Sequence, residues 1–305
     1  MKLKDLFENQ EYTFAQWAKD EGVDLNSKNF YCCNNNLTSL EGAPRRVGGN
    51  FDCSRNNLTS LEGAPQHVGG YFYCSNNKLT SLEGAPQHVG EIFNCSNNNL
   101  TSLQGAPQHV GEIFNCSNNN LTSLQGAPKH ISANFNCSNN KLTSLEGAPQ
   151  DVGGDFYCSY NKLTSLEGAP QDVGRDFDCS RNKLTSLEGA PQDVGRDFYC
   201  SNNNLTSLEN IHLQIKHLGR VLYYVKNPIK SNVLGVLLIG CDPRSFQPIP
   251  GGKAPLSIFL DNKQVEGILN KYLEQISRGE LTPKEAVLQC QNELIDANLD
   301  EYAEL

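Results

Sequence analysis

The sequence contains no apolar run long enough for a membrane. Its longest, Val233 to Ile239, is interrupted by Gly235, whereas a spanning helix needs about 20 apolar residues. No membrane partner is expected. The opening residues, Met1-Lys2-Leu3-Lys4-Asp5, show neither a long apolar core nor a small-residue cleavage site, so no secretory leader is expected there. Basic residues are scarce: 25 Lys and Arg stand against 34 Asp and Glu, for a formal charge of −9. They are scattered and cannot form a phosphate-binding stripe, which argues against nucleic acid as a partner. There is no phosphate loop, nucleophile elbow, paired CxxC or HxxxH, and Gly251-Gly252-Lys253 lacks the following Ser or Thr of a phosphate loop. The expectation is a non-enzyme with no catalytic residues and no cofactor.

What the sequence does contain is repetition. Of its 12 cysteines, nine (Cys32, Cys53, Cys74, Cys95, Cys116, Cys137, Cys158, Cys179 and Cys200) recur at intervals of 21 residues. A fixed period of this length indicates stacked structural units. In the unit FYCSNNKLTSLEGAPQHVGEI, which starts at Phe72, F-x-C-x-x-N-x-L alternates apolar and polar residues over one short strand. The following E-G-A-P-Q-H-V-G places Gly and Pro where they forbid a regular helix, so the return path should be extended or 3₁₀-like. One thin coil cannot bury its own Phe, Cys, Leu and Val; stacked coils can, each covering its neighbours. The asparagines Asn35, Asn56, Asn77, Asn98, Asn119, Asn140, Asn161, Asn182 and Asn203 fall where the chain leaves the strand, and an amide there can donate to and accept from inward-turned backbone groups.

A tenth, degenerate unit places Leu218, Gly219, Leu222, Asn227 and Ile229 in the Val, Gly, Phe, Asn and Leu columns, with Tyr224 replacing the small Cys. The step from Phe198 to Leu222 is 24 residues, three longer than the rest. The pattern, LxxLxLxxNxL reduced to F-x-C-x-x-N-x-L and T-S-L, resembles the leucine-rich repeat family over residues 29 to 229. S-N-N-x-L-T-S-L looks most like the short repeats of bacterial leucine-rich repeat effectors. The near-identical coils and the ending VLQCQNELIDANLDEYAEL resemble uncharacterised leucine-rich repeat proteins encoded by tailed bacteriophages. The resemblance implies an α/β-type leucine-rich repeat solenoid with one short parallel strand per coil, in a flat, strongly twisted or horseshoe stack.

The ends read as helical caps, giving residues 1–28, a solenoid over 29–229 and a cap over 230–305. Thr13 with Gln16 forms a capping box before Phe14, Trp17 and Ala18. Asp261 should open a helix carrying Val265, Ile268, Leu269 and Tyr272. Thr282-Pro283-Lys284-Glu285 is a second capping box, after which Leu288, Leu294 and Ile295 should mark an inner face.

Three other constellations point to little chemistry. Cys241-Asp242 resembles the Cys-x-Asp site of bacterial ubiquitin-ligase effectors, but Asp follows Cys directly and the catalytic domain would not fit in the 64 residues that remain. The ladder cysteines alternate with outward positions, so they should sit reduced beside Phe as small apolar residues. His67, His88, His109 and His130 form a column continued by Asp151, Asp172 and Asp193; one residue type per coil offers a line, not a tetrahedron. No metal is expected in either column, and a divalent ion at Asp176-Phe177-Asp178 stays a weaker alternative to a solvated face.

Because the coils are internal copies, their variable positions show where the stack leaves room for function. The residues on either side of each Phe vary most, and strand alternation turns both outward. Tyr71, Tyr73, Ile92 and Ile113 should form an aromatic and aliphatic anchor. Asp155, Asp176, Asp178 and Asp197, with Tyr157, Tyr160 and Tyr199, should form an acidic zone, since residues 150 to 200 hold nine acids against five bases. The expected partner is therefore a protein with a basic surface. The expected setting is a bacterial cytoplasm, with a phage-encoded chain capturing a host protein, or alternatively an assembly component that docks through its C-terminal cap.

Overall fold

Within each of its two units, each coil is bonded to its neighbours through the backbone, and the 21-residue period sets the register. The computed structural model describes residues 11–239, 241–242, 247–248 and 257–305, with backbone alone at 241–242 and 247–248. Two compact units, residues 1–133 and 134–305, are built from the same coil. Among the described residues no helix is long and apolar enough to cross a membrane.

In the first unit, strands at Phe30–Tyr31, Phe51–Asp52, Phe72–Tyr73, Ile92–Asn94 and Ile113–Asn115 pair in parallel. Phenylalanine faces phenylalanine at each step. The rings stack in a buried column, as at Phe51 and Phe72, with centroids 5.6 Å apart and planes 7° apart. The adjacent Cys and two Leu of each coil are equally buried. Burying a Phe or Leu is worth about 1.5–3 kcal/mol, and here every such gain depends on the next coil being present.

The return path is extended as expected, and it is also paired. Short strands at Arg46–Val47, His67–Val68, His88–Val89 and His109–Val110 form a second parallel sheet, where the sequence suggested one strand per coil. Proline before and glycine after limit each strand to two residues. Coils approach so closely here that a Cβ on Gly90 would lie 2.0 Å from the Gly69 carbonyl oxygen, and one on Gly111 1.8 Å from that of Gly90. Ser132 occupies the same column one coil later. Gly69, Gly90 and Gly111 donate to Val47, Val68 and Val89, no such bond joins Ser132 to Val110 among the described residues, and the four-stranded sheet ends at His109–Val110.

Helix α1 (Phe14–Asp20) begins with the expected capping box and covers the first coil. Phe14 packs 5.8 Å from Phe30 and 5.7 Å from Phe51, and main-chain bonds from Phe14 to Ser39 and from Thr38 to Tyr12 fix the segment in place.

In the second unit, strands at Phe135–Asn136, Phe156–Tyr157, Phe177–Asp178, Phe198–Tyr199 and Val221–Tyr223 continue the pattern. Their return strands are Asp151–Val152, Asp172–Val173, Asp193–Val194 and His217–Leu218. The degenerate coil replaces the Pro-Gly turn with helix α2 (Ile211–Gln214), and Tyr224 is fully buried in the Cys column. A further strand, Ser257–Phe259, pairs with Val221–Tyr223; its sequence lacks the repeat signature. Asn270 closes this edge, accepting from Ile258 N–H at 2.7 Å and donating to Ile258 C=O at 2.8 Å, which removes a free template for strand addition.

Asn270 belongs to helix α3 (Lys263–Ser277), which packs against helix α4 (Pro283–Asp296). Two expectations need correction. The α3 cap is Asn262, while Asp261 instead accepts the Lys226 N–H at 2.7 Å. On α4 the inner face is Pro283, Ala286, Cys290 and Leu294, leaving Leu288 and Ile295 52% and 44% exposed. At 100° per residue these two lie opposite the inner stripe.

The glycine column makes unequal predictions at neighbouring coils. Gly111→Ala would drive a methyl into backbone that cannot yield, and is expected to lower stability by about 1–3 kcal/mol. Ser132→Ala, in the same column but where the sheet has already ended, removes only the hydrogen bond from its exposed hydroxyl to the Gly111 carbonyl and is expected to cost no more than about 1 kcal/mol. Urea unfolding of both variants measures this, and equal losses would refute the account.

Candidate functional site

A turn that leaves the strand directs backbone groups into the core, and the asparagine column satisfies them. The Oδ1 of Asn77 accepts the Leu58 N–H of the preceding coil at 3.0 Å, and its Nδ2 donates to the Cys53 and Cys74 carbonyls at 3.1 Å. The pattern repeats at Asn56, Asn98 and Asn119 in the first unit and at Asn161, Asn182, Asn203 and Asn227 in the second. These amides are fully engaged and belong to the scaffold.

The ladder thiols are likewise inward. The Cys53 Sγ donates to the Tyr73 carbonyl at 3.3 Å and the Cys95 Sγ to that of Asn115 at 3.4 Å. All nine ladder cysteines are buried thiols outside any disulfide. Three imidazoles of the histidine column stack, His67 on His88 at 5.3 Å and His88 on His109 at 4.5 Å. Among the described residues no group of three or more His, Cys, Asp or Glu is arranged to hold a metal. Gly251 to Lys253 lie outside the described residues. Cys241–Asp242 is described only as backbone, paired antiparallel with Gln247–Pro248.

On the strand face of the first unit, Tyr71 and Tyr73 stack at 4.2 Å and 20°. Ile92 and Ile113 are cross-strand partners, and all four residues are half-buried. Tyr31, absent from the sequence-based site, joins this cluster at 52% exposure. Burial, reinforced by a hydrogen bond with Tyr31, pushes the Tyr71 phenol up to about 12. The four residues singled out from the sequence thus lie together on one face.

The acidic zone in the second unit is not as expected. Asp155 and Asp197 are 5% exposed. At the start of the strand a carboxylate reaches the main chain of the next coil: Asp155 Oδ1 accepts the Asp176 N–H, and Asp176 Oδ1 the Asp197 N–H, both at 3.1 Å. Strand alternation alone would have turned these side chains outward, but the open backbone donor turns them along the stack. Arg175 lies 3.6 Å from Asp155 and Arg220 3.7 Å from Asp197. Asp178 is half-buried and accepts the Ser180 N–H at 2.9 Å. Of the remaining acids between residues 150 and 200, Asp151, Asp172 and Asp193 lie on the return strands, and Glu167 and Glu188 in the turns.

Aromatic residues dominate what remains outward. Tyr199 donates to Asp197 Oδ2 at 3.1 Å and stacks on Tyr223 at 4.5 Å, which stacks on Phe259 at 5.0 Å. Tyr223 and Phe259 escaped the sequence reading; the V-L-Y of the degenerate coil carried a signal for the first, and nothing periodic marked the second. Tyr157 is half-buried, its phenol raised to about 12 by burial and then by a hydrogen bond to Asp155. Tyr160 is 49% exposed, with the Arg181 guanidinium 4.7 Å from its ring centroid.

The chain matches no family model and no curated protein. Among solved structures it is similar to the leucine-rich repeat domain of APL1B, at 22% identity over 64% of this chain and 71% of that one, with a TM-score of 0.45. It is also similar to the functional domain of InlJ from Listeria monocytogenes, which includes a cysteine ladder, at 23% identity over 68% and 50%, with a TM-score of 0.41. A Shigella effector leucine-rich repeat domain aligns at 19% identity over 85% and 98%, with a TM-score of 0.43. The likeness is one of repeat fold, and the coil-to-coil bonding described above defines that fold in this chain.

The buried thiols generate a pH dependence. Burial raises Cys32, Cys53, Cys74, Cys95, Cys137, Cys158, Cys179 and Cys200 above the usual cysteine range. Unfolded, each thiol ionises near about 8.5. Above that pH the unfolded chain releases protons that the folded chain retains, so stability that is complete below pH about 8.5 is lost as pH rises. The loss is about 0.4 kcal/mol per thiol at pH about 8.5 and about 1.4 kcal/mol one unit higher, or about 3 and about 11 kcal/mol over these thiols. The urea midpoint is expected to fall steeply across this range. Burial raises Cys33 and Cys290 as well, so replacing Cys53, Cys74 and Cys95 by Ala should flatten the fall by roughly a third, and an unchanged slope would contradict it.

Proposed function

We propose that this chain is a protein-binding repeat module that engages its partner through the outward strand faces. The observation that carries the reading is the first-unit cluster of Tyr31, Tyr71, Tyr73, Ile92 and Ile113. These side chains share one face at positions where most other coils carry Asn or Asp. Tyrosine beside aliphatic residues is the composition of an interface core, and the stack needs none of it for its own packing. In its finer form, which rests on the resemblance to phage-encoded repeat proteins, the chain captures a host protein in the bacterial cytoplasm. No catalytic step is part of this reading.

A second reading, an assembly component that docks through its C-terminal cap, is favoured by one observation: Leu288 and Ile295 lie exposed on the outer face of α4. The two readings place the energy on different residues. With a partner isolated from host cells, Tyr73→Ala combined with Ile92→Ala is expected to weaken the complex by about 2 kcal/mol or more, measured by calorimetry, with the urea midpoint close to the parent's. Loss of binding on Leu288→Gln with Ile295→Gln, and none on the strand-face change, would move the site to the cap.

A further inference from the structure

The second unit is acidic by composition, yet its strand face offers cations. Each carboxylate on that face is already engaged. Asp155 and Asp176 accept backbone N–H groups of the next coil, Asp178 accepts from Ser180, and Asp197 accepts from Tyr199 beside Arg220. Their charge is directed into the stack. The cations divide differently. Arg175 and Arg220 neutralise the buried Asp155 and Asp197, whereas Arg181, Arg196 and Lys226 have no carboxylate within ion-pair distance among the described residues. Arg181 and Lys226 are exposed and Arg196 half-buried.

Backbone conformation gives an independent reason to single out this edge of the face. The residue two places after each Cys adopts a left-handed conformation, and in most coils it is Asn, as at Asn76, Asn97, Asn118, Asn139 and Asn202. Asparagine tolerates that region; longer side chains adopt it at a penalty. In the second unit the column carries Tyr160 at φ 55°, Arg181 at φ 57° and Lys226 at φ 58°, whereas the first unit has a single such departure, Arg55 at φ 54°. Strain accepted at an exposed position, against a favourable residue used by the other coils, indicates a function outside the stack. The stacking of Arg181 on Tyr160 holds the guanidinium plane in position and leaves its edge donors free for a carboxylate.

From these observations we infer that the strand face of residues 134–305 binds an acidic polypeptide segment. Its carboxylates meet Arg181, Arg196 and Lys226, and its apolar side chains rest on the Tyr199, Tyr223 and Phe259 ladder. This deepens the strand-face reading and reverses the partner charge that composition suggests. A long polyanion such as nucleic acid is disfavoured by the overall charge of −9; a short segment that places carboxylates locally is not.

The test selects from a random peptide library displayed against the full chain, then measures the selected peptides as synthetic, fluorescently labelled probes by anisotropy. Enriched peptides are expected to carry Asp or Glu beside aromatic or aliphatic residues and to bind more weakly as salt rises. Arg181→Asn with Lys226→Asn installs the repeat's own residue, so folding is retained and the urea midpoint should hold or rise, while affinity falls by about tenfold or more. Enrichment of Lys- or Arg-rich peptides, an affinity indifferent to the double change, or no enrichment at all would overturn the inference. Tyr199→Ser with Tyr223→Ser separates the two levels. Basic peptides that lose binding on this change leave the strand-face reading standing and remove only the acidic partner, whereas selected peptides indifferent to both pairs of substitutions remove both.

Discussion

The whole structure depends on how a coil of this length disposes of its inward-facing backbone. Two strand residues and a tight turn leave main-chain donors and acceptors directed at a core of Phe, Leu and Cys, where an unpaired group costs about 1–3 kcal/mol. The asparagine amide resolves this by bonding both to its own coil and to the one before, as at Asn98, which accepts from Leu79 and donates to Cys74 and Cys95. A side chain that both donates and accepts is required at that point. Asp would lack the donor and Leu both functions. The small Cys follows from the same geometry: its position abuts the next coil's carbonyl, where the thiol serves as a compact apolar group with one weak donor.

Periodic features were readable because stacking forces them into sequence. The 21-residue register, the buried Phe, Cys and Leu columns, the extended return and both capping boxes each recur or match a local rule. The second sheet was less apparent, since His-Val followed by glycine is too short to register as a strand until a neighbour pairs with it. Leu288 and Ile295 were assigned inward with Leu294 because they are apolar; the helical period keeps Leu294 there and joins it with Ala286 and Cys290, and apolar character alone does not fix a face. Ser257–Phe259 extends the sheet through shape and hydrogen bonding to Val221–Tyr223, without the repeat's signature residues.

The candidate site divides along the same line. Tyr71, Tyr73, Ile92 and Ile113 were legible because strand alternation decides their direction and nothing competes with it. Asp155 was misplaced because an acceptor at the start of a strand has a competing destination, the N–H of the following coil; Asp197 is held inward by Tyr199 and Arg220 instead. Asn29 and Asn50 do as Asp155 does in the first unit, accepting from Asn50 and Tyr71. What the aspartates share with those asparagines is the carbonyl-type oxygen. Their charge is a by-product that Arg175 and Arg220 offset. Counting acids over residues 150 to 200 therefore summed groups that lie on return strands, in turns and inside the stack.

Internal repetition supplies a control that a unique fold lacks, because each coil shows what the backbone accepts at every position. Departures from that standard then divide into two kinds. Ser132 in the glycine column departs where the return sheet ends, and the departure has a structural counterpart. Tyr160, Arg181 and Lys226 depart from Asn at a left-handed position without altering the Phe pairing around them, since Phe156, Phe177, Phe198 and Leu222 keep their register. A substitution that strains the main chain, gains no burial and leaves the stack unchanged gains little within the folded chain beyond the contact of Arg181 with Tyr160. On the proposed reading its benefit comes from what the side chain meets outside; Tyr31, Tyr223 and Phe259 carry no such strain and belong to the site by their outward position and, for the last two, their stacking. On the same proposed reading the aromatic and cationic positions of the strand faces, and not the acidic residues that dominate their composition, determine what the molecule recognises.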